Sequence, residues 1–222
     1  MNIELRYRAR VEESIPERHT QIVAGLLQLE PPRGLKGKHP PAPPDIGAKL
    51  RVEVDLTNSL GSGNQGVLSY VLRSDKYLRD ESEFDDLMIV GCEFAQPEFE
   101  VVVRTVFRLY IEAFTPYRAT IILDTQLYGQ EWPTIVRLGK DSGKDADGRD
   151  GVYRINSVNY FDRELCRRAF GLSPEEIVER LRNKVESVSI LLDGVVLIVT
   201  SAMVDRETLK GIDAMVRTQL GI

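Results

Sequence analysis

Gly61-Ser62-Gly63-Asn64-Gln65-Gly66 spells G-x-G-x-x-G, the pattern that brings backbone N–H groups and a helix N-terminus to a dinucleotide pyrophosphate. That chemistry needs a strand before the glycines and a helix opening within them. Leu50, Val52, Val54 and Leu56 alternate with charged residues and supply the strand, but Val67 to Leu72 is β-branched and aromatic where the helix should start. The glycines are therefore read as a hairpin loop using left-handed backbone angles, and no cofactor is expected. A Walker-type loop is excluded, since no Gly-Lys-Ser/Thr follows.

A second candidate is the stretch holding Asp141, Asp145, Asp147 and Asp150, carboxylates of the kind that suit a hard cation. Placing Asp147-Gly148 at positions five and six of an EF-hand loop puts Gly143 at position one and Arg154 at position twelve, where Asp and Glu are required. A solvated, mobile loop is expected instead, and no metal. His19 borders an apolar helical stripe and reads as a packing residue, while His39 lies among prolines; neither adjoins a Ser or Cys in a nucleophile signature. Cys92 and Cys166 are the only cysteines and lack C-x-x-C spacing, so buried free thiols are expected, with neither a disulfide framework nor a zinc site. Lys38-x-x-Pro41-x-x-Pro44 fits a polyproline ligand pattern, but a rigid linker is the expected reading. Arg6, Arg8 and Arg10 line one strand face and read as a solvated stripe neutralised by Glu4, Glu12, Glu53 and Asp55.

With no catalytic residue assigned, two features point to protein binding. Asp80, Glu81, Glu83, Asp85 and Asp86 crowd seven positions, a concentration tolerable when exposed and useful when a basic partner docks. Trp132, the sole tryptophan, stands in the turn-like segment Tyr128-Gly129-Gln130-Glu131-Trp132-Pro133, where it could anchor a partner. An enzyme built from dispersed acids such as Glu131, Asp162 and Glu164 is the alternative, and a structural or assembly subunit a third.

The elements that must position these residues follow from periodicity and punctuation. Ile3 to Val11 alternates as a strand with one wet face, and Ser14-Ile15-Pro16-Glu17 caps a helix over 16–29. Residues 31–44 contain six of the eleven prolines and form a connector. Strands are expected from 49 to 56, from 67 to 72 and from Leu87 through Phe94, then a buried helix from Pro97 to Phe114. Strands at 119–123, 134–138 and 152–160 follow, then helices capped by Asp162 and Ser173. A hairpin turning at Asp193-Gly194 comes next, and a last helix is capped by Asp205. Hairpins outnumber crossovers, so the expected fold is α+β, a largely antiparallel sheet with helices packed mainly on one face. One domain over 1–222 is expected, with a possible two-half organisation dividing near 116.

In this layout, Tyr160-Phe161-Asp162 through Leu191-Leu192-Asp193-Gly194-Val195-Val196-Leu197-Ile198-Val199-Thr200-Ser201 and a helix ending Leu220-Gly221 resembles bacterial polymorphic-toxin immunity proteins of the α+β kind. The helix ending Phe114-Thr115-Pro116 and the strand after it fit the same layout. The resemblance implies a non-catalytic protein that binds one cognate toxin and blocks it through exposed loops.

Composition bounds these readings. A chain of 222 residues with 42% hydrophobic and 28% charged residues can bury a sizeable core. Its formal net charge of -5 argues against a general nucleic-acid binder. The start Met1-Asn2-Ile3-Glu4-Leu5-Arg6 lacks the pattern of a signal peptide, and no apolar run approaches a bilayer span. A cytoplasmic protein without membrane contact is expected.

Overall fold

Alternation makes β1 (Asn2–Arg8) a two-faced strand, with Ile3 and Leu5 in the main core and Glu4 and Arg6 on the opposite face. The architecture is seen in a computed structural model that describes residues 1–222 apart from Ser62, Phe94 and the side chain of Pro97. The middle of the glycine cluster at Ser62 and the expected strand end at Phe94 thus lie outside the described residues.

Ser14 accepts from the Glu17 N–H and starts α1 (Ile15–Leu26), whose Ile22, Val23 and Leu26 face the core. The prolines that follow form no regular element before β2 (Arg51–Asp55). One helical turn, α2 (Thr57–Leu60), precedes the glycine cluster, and β3 (Asn64–Val71) begins inside it. Gly61 and Gly63 take φ of 94° and 83°, angles that strain other residues. A strand rather than a helix follows, and β2 pairs antiparallel with β3, the hairpin read from the sequence.

A 3-10 turn at Ser82–Phe84 leads into β4 (Asp85–Cys92). The long apolar helix is continuous through α3 (Gln96–Val101), a π-helical turn at Val102–Val106 and α4 (Phe107–Phe114). Then come β5 (Arg118–Ile122), α5 (Thr125–Ser142) and β6 (Val158–Phe161). Next are α6 (Arg163–Leu165), running into a π-helical turn at Cys166–Phe170, and α7 (Pro174–Leu181). The hairpin β7 (Ser187–Leu191) and β8 (Gly194–Ile198) and then α8 (Arg206–Leu220) complete the described elements.

The fold is α+β. One eight-stranded sheet runs β2-β3-β4-β1-β5-β6-β8-β7 and is antiparallel at every pairing. Its halves join where β1 pairs with β5, Leu5 opposite Ala119. The first face is covered throughout by α1 and α3–α4, which pack Phe99, Phe107 and Phe114 against residues from β3 to β8. A second core lies on the other face of the later strands, where Phe161, Val195 and Leu197 meet Leu165, Ile177, Leu181 and Val216 from α6, α7 and α8.

Two expected strands are corrected. Residues 134–138 belong to α5, which Asp124 starts by accepting from the Leu127 N–H; burial of Leu127 and Ile135 outweighs the proline inside the helix. Of 152–160 only the end is strand. The N–H groups of Tyr153, Ile155 and Asn156 go instead to Asp147, Asp213 and Asn159 side chains, so that stretch has its donors satisfied without a ladder.

Candidate functional site

The acidic run divides sharply. Asp85 and Asp86, expected at a partner surface, are both 0% exposed, because β4 begins two residues earlier than the hydrophobic pattern suggests. Consecutive strand residues point to opposite faces. Asp86 goes to the first face, where Arg73 binds it in a two-pronged pair at 2.9 and 2.6 Å, Arg18 approaches to 3.3 Å and the Val71 N–H donates at 3.1 Å. Asp85 goes to the second face and accepts from Arg149 Nε at 2.8 Å and from the Tyr117 hydroxyl at 2.6 Å. Burial pushes Asp85 up to about 6, against the pull of Arg149 and Tyr117.

Asp80 remains 58% exposed while pairing with Arg149 and Arg168, each at 3.0 Å. Burial opposes its ionisation, yet these two arginines hold its carboxyl below the usual range. Glu81 and Glu83 are exposed, and their segment is fixed from beneath by Arg51, which donates to the Glu83 carbonyl at 2.7 Å. Of the five acids, two are therefore interior, one is shared with cations, and two are open to a partner.

Trp132 is 49% exposed, on α5 rather than in a turn. It stacks obliquely on Tyr128 one turn earlier, ring centroids 6.3 Å apart. Tyr128 donates to Asp147 at 3.1 Å, and Asp147 pairs with Arg118 at 2.7 Å. The 141–150 segment is thus no solvated loop: Asp147, Gly148 and Arg149 are buried, and Asp145 accepts from the Ser82 and Arg149 N–H groups. Burial works against Asp147, but Arg118 and Arg6 hold it below the ordinary carboxylate range. The arginine stripe is corrected with it, since Arg6 is turned inward onto Glu4 at 2.6 Å and Arg8 binds Asp162. Among the described residues no group of three or more His, Cys, Asp and Glu could hold a metal ion.

What the sequence did not reveal is an uncovered area of sheet. On the second face the cover reaches β1, where Glu4 and Arg6 are largely buried near Tyr128 of α5, and it leaves β2, β3 and β4 open. Over β2, β3, β4 and β1 the register sets Asp55, Val67, Ile89 and Glu4 in one row and Glu53, Ser69, Leu87 and Arg6 in the next. Glu53 and Asp55 are exposed, and Val67, Leu87 and Ile89 are only partly buried. A hollow of about 400 Å³ opens over Val67 and Ile89, walled by Asn2, Glu53, Asp55 and Gln65. At one margin the segment with Glu81 and Glu83 closes over Ser69, which Arg51 reaches at 2.8 Å. The patch is apolar in the middle and acidic along its β2 edge, while the β1 edge is closed by the Glu4–Arg6 pair.

No protein-family model matches this chain, and no curated protein sequence matches it.

The remaining candidates separate by position. Asp162 and Glu164 come together on Arg8, whereas Glu131 is taken by Arg154. Burial raises Asp162, although Arg8 pulls the other way. His19 is buried in a fixed tautomer: its Nε2 must donate to the Pro41 carbonyl at 3.0 Å, so Nδ1 accepts from Tyr70 at 3.0 Å. It pins the proline connector to the core. Both cysteines are buried and free, and burial pushes Cys92 up to about 11 and Cys166 up to about 12, leaving little thiolate for nucleophilic work. Among the described residues no helix is long and apolar enough to cross a membrane.

Proposed function

We propose that this chain is a non-catalytic binding protein that docks a basic protein partner on the open half of its sheet, in the manner of an immunity protein neutralising a cognate toxin. One observation carries the reading: helices cover both faces of the later strands but only one face of β2, β3 and β4, leaving Val67, Leu87 and Ile89 beside the exposed carboxylates of Glu53 and Asp55. Partly exposed apolar residues flanked by exposed carboxylates suit a partner of the opposite sign. Glu81 and Glu83 extend the acidic margin, and the net charge of -5 favours capture of a cation-rich surface. A specific interface needs about 800 Å² per partner, so the partner must reach beyond the hollow onto its acidic rim, and the exposed Trp132 on α5 is a candidate anchor.

The test is capture of partners from the native organism with the wild-type chain and with Glu53→Lys/Asp55→Lys. The expected outcome is one dominant basic partner, lost on charge reversal and weakened by Glu81→Gln/Glu83→Gln. Capture that survives reversal of both residues refutes docking on this face. Size-exclusion chromatography with light scattering separates the assembly-subunit alternative, which requires the same reversal to dissociate a homo-oligomer.

A further inference from the structure

A cleft of about 570 Å³ lies away from the open half-sheet, where β1 ends beside the start of α6 and the β7–β8 turn. Its walls carry four arginines, Arg8, Arg10, Arg163 and Arg167, and three carboxylates, Asp162, Glu164 and Asp193. Most of these charges are already matched. Arg8 lies over the Tyr117 ring at 4.2 Å and binds Asp162, which also caps α6 by accepting from the Leu165 N–H at 2.7 Å. Glu164 is held by Arg168 at 2.5 Å, and Arg163 by Glu175 at 2.6 Å. Arg10 and Arg167 make no ion pair and no side-chain hydrogen bond among the described residues, and both are exposed. Asp193 makes no ion pair among the described residues; it accepts from the Tyr160 hydroxyl at 3.4 Å and lies in the field of Arg163.

The cleft therefore presents two unmatched guanidinium groups and one unmatched carboxylate. We propose that it binds a small phosphate monoester, Arg10 and Arg167 taking the phosphate and Asp193 accepting from a ligand hydroxyl. Two guanidinium groups suit a dianion with three terminal oxygens, whereas a single carboxylate satisfies one planar fork and leaves the second cation unbalanced. The volume is that of a small-molecule site, and its buried floor of Tyr117, Tyr160 and the Arg8–Asp162 pair is rigid enough to hold one ligand pose. The proposal is independent of the protein-docking reading, since the two share no residue.

Isothermal titration with glycerol 3-phosphate and adenosine monophosphate tests it, with glycolate as the monocarboxylate control. A saturable heat with at least one phosphate ester is expected, and the stronger of the two separates a sugar-type from a nucleotide ligand. Arg10→Gln and Arg167→Gln should each weaken binding about tenfold or more, since each removes a charge-assisted hydrogen bond. Asp193→Asn should weaken binding, since a neutral amide accepts from the ligand hydroxyl less strongly than a carboxylate. Unchanged thermal melting of the exposed-arginine variants certifies their fold. No saturable heat with either ester, wild-type affinity in both arginine variants, or glycolate binding as tightly as the esters would each overturn the proposal.

Discussion

The two halves of the sheet solve the same packing problem differently. Around β5, β6 and β8 both faces are buried, and the strands read as near-continuous apolar runs such as Gly194-Val195-Val196-Leu197-Ile198, every residue of which is buried. Around β2, β3 and β4 the strands alternate, and their second face meets a thin polar margin instead of a helix layer. The later half thus buries both faces of its strands, while the earlier half keeps a surface available. A chain under selection for stability alone would have no reason to leave Ile89 and Val67 half-wet.

The largest expected effect lies in the first half, on its covered face. Asp86→Ala leaves Arg73 and Arg18 without their buried counter-charge and should cost about 3–5 kcal/mol in urea unfolding. Comparison of equivalent truncations comes next: Leu197→Ala, in the doubly covered half, should cost about 2–5 kcal/mol, whereas Ile89→Ala, on the open face, should cost about 1 kcal/mol. Equal losses would mean that something covers the first half in solution. Gly194→Ala should destabilise by about 1–3 kcal/mol, because its added Cβ would lie 2.3 Å from the Phe161 carbonyl oxygen. Gly129→Ala, with open space around it on α5, should be neutral or stabilising by up to about 1 kcal/mol.

The smallest effect is a slope. Asp147 is depressed in the folded state, so its contribution is present above the unfolded carboxylate pKa of about 3.9 and is lost as pH falls through the folded value. Asp85 works in the opposite sense: raised to about 6, its contribution is complete below the ordinary carboxylate value and is lost as pH rises through about 6. Asp147→Asn should therefore flatten the acid limb of stability against pH. A limb as steep as that of the wild type would show that other carboxylates set it.

Much of the fold was legible where one residue type answers one local need. Ser14, Ser173 and Asp205 cap helices through their own side chains, and alternation marked β1 and β2. The glycine cluster was read as a hairpin loop from the β-branched run after it, and β3 starts at Asn64. Other signals were legible but assigned to the wrong cause. Asp193-Gly194 marked a hairpin, yet the turn residues are Leu192-Asp193, Leu192 at φ 51°, with Leu191 paired to Gly194. Gly194 is needed for close approach to β6, a long-range demand that local turn statistics do not contain. Likewise Asp85 and Asp147 resemble surface acids until Arg149 and Arg118 arrive from distant segments. The open half-sheet has no local signature at all, since it depends on where helices are placed and not on what its own strands contain.

Asp85 and Asp86 work as a rivet through the sheet. Because neighbouring side chains leave on opposite faces, lifting α1 disturbs the Arg18 contact with Asp86, and loosening the 145–150 segment breaks Arg149 from Asp85, two events meeting within one peptide unit. The layers on either side of the sheet are therefore linked in their opening. Amides at the start of β4 should exchange with solvent only when the whole domain unfolds, while those along the free edge of β2 exchange through local fluctuations.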